Sequence, residues 1–446
     1  MTEPPSRAPI ADAVELPLAG GLPPLARPPV FLHTGWRTAG TFLWSRFRSL
    51  SGVSGYYEPL HESLATVTPA TLSRHGPQLW ASGHPRLRRP YFDEFAPLLR
   101  ESAPGVQGYQ GAFATDGFFA EADAAQPALR GYLQLLLAAA RQRGEQPVLK
   151  FCRSLGRAGW MARNFPEAVH IAVVRNPVSQ FIAAKHQFAA HDNPYFLLSP
   201  LLVLARNAAH APVAAALTHF AVHLPPQAAD EDRARARAAL TSHLRRTEPK
   251  VWYRGFLAFW LLSMLGIPET IDAIIDADLL SASADYQNEC AAELASLSGV
   301  AIDLGDAARP ACCGGRVADR IGIPRAELWR YHKIAAAFLA ERSGPDWVDR
   351  AAPANAGALL AQATLLGMDR DRPLRAGARG RAGEWEALAT YAERVGADQR
   401  RALRRAERAE RELAAVYQSR SWKITSPIRL LGRYARLLSR GNGRRG

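Results

Sequence analysis

The stretch Pro28-Pro29-Val30-Phe31-Leu32-His33-Thr34-Gly35-Trp36-Arg37-Thr38-Ala39-Gly40-Thr41-Phe42-Leu43-Trp44 decides the fold. Two prolines bound a short apolar run, Val30 to His33, which predicts a buried strand. From Phe42 the pattern turns helical, with Phe42, Leu43, Phe47 and Leu50 on one face. Between the two lies Gly-Trp-Arg-Thr-Ala-Gly-Thr. Strand, small-residue turn and helix together aim backbone N–H groups and a positive helix end at a phosphate.

The turn residues narrow the chemistry. A nucleotide triphosphatase loop carries two glycines at this spacing, followed by Lys and a Ser/Thr that holds magnesium. Gly35 and Gly40 keep the spacing, but Thr41 and Phe42 stand where the Lys and the hydroxyl belong. The strong cation, Arg37, lies inside the loop instead. This suits a phosphate cradle that works without a metal; the alternative is an ordinary strand-to-helix turn.

Working outward, Arg37-Thr38-Ala39-Gly40-Thr41-Phe42 resembles the Lys/Arg-Thr-Gly-Gly-Thr-Thr loop of sulfotransferases that use 3′-phosphoadenosine 5′-phosphosulfate (PAPS). Tyr56-Tyr57-Glu58-Pro59-Leu60-His61 is similar to the Tyr-Glu-Pro-Leu segment of carbohydrate sulfotransferases. His170-Ile171-Ala172-Val173-Val174-Arg175-Asn176-Pro177 resembles their strand-plus-Arg segment. The three occur in the family's order and cover the functional parts of residues 28 to 300. The resemblance implies a P-loop-like, three-layer α/β/α domain with a mostly parallel sheet. It implies PAPS as sulfuryl donor, with Gly35, Thr38, Ala39, Gly40 and Thr41 around the 5′-phosphosulfate and Arg175 on the 3′-phosphate. The family's serine eight residues after that arginine is Ala183 here, so either Ser179, one helical turn earlier, or Lys185 takes its place, or the 3′-phosphate is held less tightly.

Sulfuryl transfer needs negative charge stabilised on the departing phosphate, and Arg37 and the loop amides can supply that. It also needs an acceptor for the hydroxyl proton. Glu58, which the resemblance puts beside the cleft, is the first candidate base and His61 the second. Structural roles compete with both: an ion pair of Glu58 with Arg37, and a helix cap by His61.

The chain has 446 residues, 48% hydrophobic and 22% charged, ordinary values for a globular protein. Its net charge of +14 is concentrated at one end: residues 369–446 hold 20 Lys/Arg and 9 Asp/Glu, or +11, leaving about +3 for the rest. That distribution argues against nucleic acid as the partner of the main domain. Cys152, Cys290, Cys312 and Cys313 form no spaced metal pair and no disulfide framework, which suggests a reducing compartment. Residues 1–27, rich in Pro and Ala, lack the basic-then-apolar order of a secretory signal and read as a disordered leader. Phe256 to Leu265 is too short to span a membrane and reads as part of a buried helix.

Strands are expected at Pro147–Cys152, Val169–Val174 and Thr270–Ile275, with helices at about 126–143, through Gln187, at 251–266 and at 325–341. Residues 188–250 read as a largely helical insertion, with Asp230 to Arg246 as a solvated charged face. Together these make a domain over 28–345 of alternating strands and helices. A linker over 346–382 follows. In 383–418, Trp385, Leu388, Ala392, Val395, Gln399, Ala402, Ala406, Ala409, Leu413 and Val416 form a weak heptad stripe broken at Gly396. A short coiled coil that self-associates and a single packed helix both fit it. In 419–446, Ser421-Trp422-Lys423-Ile424-Thr425 resembles a segment of bacterial surface-polysaccharide glycosyltransferases. Ile428, Leu431, Tyr434 and Leu438 then alternate with Arg429, Arg433, Arg436 and Arg440, a pattern that suits an anionic membrane surface or protein contacts.

The expectation is therefore a cytoplasmic enzyme, peripheral at the inner membrane face, that sulfates a hydroxyl of a surface glycan or glycolipid without a metal. A nucleotide-dependent kinase and a non-catalytic scaffold built on a decayed sulfotransferase domain are the alternatives.

Overall fold

The computed structural model describes residues 26–73, 84, 87–307 and 317–343, together with 355–357, 359, 360 and 363. The leader up to residue 25, nearly all of the linker, and the whole of the 383–418 and 419–446 segments lie outside these residues. So does the Cys312-Cys313 pair.

The fold is α/β. Strands β1 (Val30–Thr34), β2 (Val53–Tyr57), β3 (Gln146–Phe151), β4 (Val169–Val174) and β5 (Ala273–Asp276) form one sheet in the order β2-β3-β1-β4-β5. All four pairings are parallel. Parallel strands require crossover segments, and those segments cover the faces. Accordingly β1 to β4 are buried at every position, which is why they read in sequence as mainly apolar runs rather than as alternations. β5 alternates between buried and half-buried, as an edge strand does.

β5 begins at Ala273, not at Thr270. Ahead of it the chain turns, with the Ile271 N–H on the Pro268 carbonyl at 3.2 Å. Asp272 then clamps His170 on β4, its carboxylate accepting from the His170 N–H at 2.7 Å.

Between and after the strands run α1 (Gly40–Arg48), α2 (Pro69–Leu72), α3 (Pro127–Gln142), α4 (Ala158–Asn164) and α5 (Pro177–His191). The insertion supplies α6 (Tyr195–Arg206), α7 (Ala211–His219) and α8 (Arg233–Arg246). Then come α9 (Pro249–Leu265), α10 (Ala277–Ala282), α11 (Ala284–Ser298), α12 (Val317–Ile321) and α13 (Arg325–Ser343). α1 buries Leu43, Trp44 and Phe47, and α3 buries Leu129, Leu133, Leu136 and Leu137. No helix among the described residues is long and apolar enough to cross a membrane. Phe256 to Leu262 and Met264 are buried inside α9.

The charged run 230–246 is more than a solvated face. Asp232 caps α8, accepting from the Ala234 and Arg235 N–H groups. Ala236, Leu240 and Leu244, four residues apart, fill the core. Arg233 and Arg237, on a neighbouring face, reach the Gly111 carbonyl and Glu62.

The strand order positions the site. After β1 the chain goes outward to β2 and returns to β3; it then crosses β1 to reach β4 and β5. The direction of winding reverses around β1. In open parallel sheets ligands bind at the carboxyl ends of the strands at such a reversal. Here that place is the β1–α1 loop, flanked by the ends of β3 and β4.

Candidate functional site

The β1–α1 loop is shaped by its own side chains. The Thr38 hydroxyl donates to the Gly35 carbonyl at 2.9 Å and accepts from the Gly35 N–H at 3.1 Å. Arg37 and Ala39 both lie in the left-handed region, with φ of 66° and 61°. For residues with a Cβ this costs about 1–2 kcal/mol each. Ala39 caps α1 without a side-chain hydrogen bond, and the first turn of α1 holds no acidic residue. The positive end of the helix therefore meets no negative side chain of its own.

Gly40 is required by space. A Cβ there would lie 2.5 Å from Thr34 Cγ2 and 2.8 Å from Thr34 Oγ1. Gly40→Ala should push α1 out of place and weaken anion binding at the loop by at least tenfold. Gly131→Ala, at an open position inside α3, should instead stabilise the protein by about 1 kcal/mol through helix propensity. Paired ligand titrations and melts check both; unimpaired binding by the Gly40 variant would remove the loop from the site.

Two cations converge on this loop. Arg37 packs its guanidinium 5.1 Å from the Phe196 ring centroid of α6. Arg175, at the end of β4, donates to the Arg37 carbonyl at 3.1 Å and to Asp278 at 2.8 Å. The Trp260 indole N–H holds the Arg175 carbonyl at 3.0 Å. Burial, and then the positive charge of Arg175, push the Arg37 guanidinium below its ordinary pKa. Ser179 lies one turn into α5, its hydroxyl accepting from Asn176 Nδ2 at 2.9 Å, while Asn176 also donates to Asp278 at 2.6 Å. Ser179 thus belongs to the Arg175 cluster. Lys185 does not: its ammonium donates to the Arg320 carbonyl at 2.9 Å.

Glu58 is paired, but not with Arg37. It sits at φ 46°, 3% exposed, immediately after β2. One carboxylate oxygen takes the Lys150 ammonium; the other accepts from the Cys152 N–H at 2.9 Å and from Arg153 at 3.3 Å. Burial alone would raise its pKa, but Lys150 and Arg153 outweigh burial and hold it at about 2. A carboxylate so surrounded is a poor proton acceptor and a strong anchor. His61 is the cap of the 3-10 turn Glu62–Ala65, its Nδ1 accepting from the Ser63 N–H at 3.1 Å. Its Nε2 lies 3.3 Å from the Tyr195 hydroxyl.

From the buried Glu58 an ionic chain runs outward to the partly exposed Arg237: Lys150, Glu58, Arg153, Glu62, Arg237. Arg153 also donates to the Tyr195 hydroxyl. The chain ties the end of β3 to the insertion helices α6 and α8. Lys150 additionally lies 4.7 Å from the Tyr57 ring centroid and donates to Cys152 Sγ at 3.0 Å. The Cys152 thiol is pushed up to about 11 by burial and Glu58. His84 stands beside Tyr57, with Nε2 3.5 Å from the hydroxyl. Burial, then Lys150 and Arg37, press its pKa down to about 3, so it is neutral.

No family model, characterised protein or solved structure matches this chain. The site is thus read on its geometry. Among the described residues no group of three or more His, Cys, Asp or Glu could hold a metal ion.

The site residues that sequence reasoning missed are Lys150, Arg153, His84, Tyr195 and Asp278. Lys150 left a signal, a lone cation inside the buried run Pro147 to Cys152, which is rare without a partner. Arg153 follows one turn of logic later. Tyr195 and Asp278 reach the site only through the tertiary fold and left none.

Buried histidines make stability depend on pH. Burial lowers His61 and His332 from 6.5 to about 4, and His84 to about 3. The unfolded chain therefore binds protons first as pH falls below 6.5, and the stability these groups contribute is lost between about 6.5 and 3. A thermal midpoint clearly lower at pH 5 than at pH 7.5 is expected; equal midpoints would mean that these rings are solvated.

Proposed function

We propose that this protein is a PAPS-dependent sulfotransferase whose P-loop-like domain binds the donor at the β1–α1 loop. One observation carries the reading: Arg37 and Arg175, like charges, come together at the β1–α1 loop, which leads into a helix with no side-chain cap and no acidic residue in its first turn. Such an arrangement is favourable when a polyanion lies between the two. A 3′,5′-bisphosphorylated donor would suit two separate anion sites. On this reading the loop, Gly35 and Thr38 to Thr41, takes the 5′-phosphosulfate, and Arg175 with Ser179, clustered at the end of β4, takes the 3′-phosphate. PAPS itself would supply the activated sulfuryl group.

In this reading Arg37 stabilises charge on the leaving phosphate oxygen, and Lys150, anchored by Glu58, adds a second positive charge at the end of β3. Glu58 acts by positioning, since its oxygens are occupied by three donors. His61 is engaged as a cap. His84, neutral beside Tyr57, can accept a hydrogen bond from the acceptor hydroxyl. Burial, Lys150 and Arg37 hold it at about 3, as poor a proton acceptor as Glu58, so the proton is left to the departing phosphate or to water. The kinase alternative lacks the Lys-Ser/Thr pair after Gly40. The scaffold alternative would keep the fold without ligand binding.

A glycan or glycolipid acceptor, an inner-membrane location and self-association rest on the sequence patterns of residues 383–446, outside the described structure. 3′,5′-Adenosine diphosphate, the desulfated product, should stabilise the protein without added metal. At 100 times its dissociation constant it should contribute about 2.7 kcal/mol. No thermal shift with it, beside a magnesium-dependent shift with ATP, would overturn the reading.

A further inference from the structure

On the sheet face opposite α1, the sequence places His33 on β1 and His170 on β4, and the fold stacks their rings 5.3 Å apart. Both are buried, as is Ser154 behind β3. His170 Nε2 lies 3.0 Å from the Phe165 carbonyl, His33 Nε2 lies 3.0 Å from His170 Nδ1, and His33 Nδ1 lies 2.9 Å from Ser154 Oγ.

The carbonyl can only accept, so His170 carries its proton on Nε2 and accepts on Nδ1. His33 must then donate from Nε2 and accept on Nδ1. The Ser154 hydroxyl therefore donates to His33. One backbone carbonyl fixes two tautomers and one hydroxyl rotor in turn. Ser154 follows Arg153, which grips Glu58 and Glu62, and its own carbonyl accepts from the Arg157 N–H at 2.9 Å.

We propose that His33 and His170 form a tautomer-locked relay that, through Ser154, positions the Cys152–Arg157 loop and with it the Arg153 anchor of the candidate site. His33 is thus a positioning residue. The relay accepts one proton and not two, because a second would set two N–H groups against each other across the 3.0 Å His33–His170 contact. The first proton reverses the outer bond: His33 Nδ1 then donates to Ser154 Oγ, and the Ser154 hydroxyl proton must turn away from His33. The charged groups facing the pair are Asp272, bonded to the His170 N–H ahead of β5, and Glu167 ahead of β4. From β1 and β3, Phe31 and Phe151 face it.

The test uses full-length protein labelled with ¹⁵N-histidine, the two rings being assigned with His33→Gln and His170→Gln. At pH 8 both rings should show a protonated Nε2 and an unprotonated Nδ1. Ser154→Ala should speed hydrogen exchange of the Cys152 amide, which Glu58 holds at 2.9 Å, by at least tenfold, and Ser154→Thr should restore it. A protonated Nδ1 on His33 in the unaltered protein would overturn the proposal, and so would unchanged Cys152 exchange in Ser154→Ala. If a variant fails to fold, the tautomers of the unaltered protein still decide. None of these readouts depends on PAPS.

Discussion

Arg153→Ala is expected to destabilise the fold by about 3–5 kcal/mol, the cost of leaving buried carboxylates without their cation. Arg153 is 2% exposed and pairs with both Glu58 and Glu62. Its removal strands Glu62 between a single arginine and His61, and leaves Glu58 to Lys150. The shift should appear as a lower urea midpoint at unchanged slope. Arg245→Ala is the control: it breaks only the Asp192 pair, with side chains 56% and 74% exposed, and should change stability by less than about 0.5 kcal/mol. A loss below 1 kcal/mol for Arg153→Ala would show that the chain from Lys150 to Arg237 is solvated in solution.

The second large effect concerns chemistry. Under the sulfotransferase reading, Arg37→Ala should lower turnover by about 10²–10³-fold, the usual cost of one donor at a developing charge. The release of 3′,5′-adenosine diphosphate from PAPS measures it, with water as acceptor until a better one is known. Arg175→Ala should act differently. Its guanidinium is braced by Asp278 and reaches the loop backbone, so its removal should weaken binding of the bisphosphate more than it slows the step. Equal effects of the two substitutions on affinity and turnover would dissolve the division of labour drawn between them.

Much of the sheet could be read from the chain because parallel strands are buried on both faces. Val30 to Thr34, Gln146 to Phe151 and Val169 to Val174 are mainly apolar runs between turn residues, broken only by His33 and Thr34, Gln146 and Lys150, and His170, and each lies within a residue or two of its expected place. The edge strand was less legible: Thr270 to Asp272 has the same β-branched look as Ala273 to Asp276, and only the Asp272 clamp on His170 separates them. The loop was legible in outline, since Gly35 and Gly40 mark where backbone and helix crowd together. The ionic partners were not. Glu58 could as well have met Arg37 as Lys150, because which cation reaches it depends on β2 lying next to β3, a pairing no local pattern encodes. Within the insertion, the run Asp230 to Arg246 reads as a solvated face because its charges outnumber its apolar residues. Tyr195 and Arg237 nonetheless turn inward, and no periodicity distinguishes them from their solvated neighbours.

Glu62 has a consequence for how this protein can change over generations. One carboxylate serves Arg153 from the loop after β3 and Arg237 from α8. Losing Arg237 alone leaves Glu62 satisfied by Arg153, so a first substitution there is tolerated. Losing Arg153 is tolerated only in a background where Glu62 has already gone. The order of substitutions is thereby constrained: the helix arginine is free to drift, the carboxylate can follow, and the loop arginine can go last or not at all. Descendants should therefore differ first in the outer helix and last at the end of β3, so that the identity of residue 237 records divergence while that of residue 153 records descent.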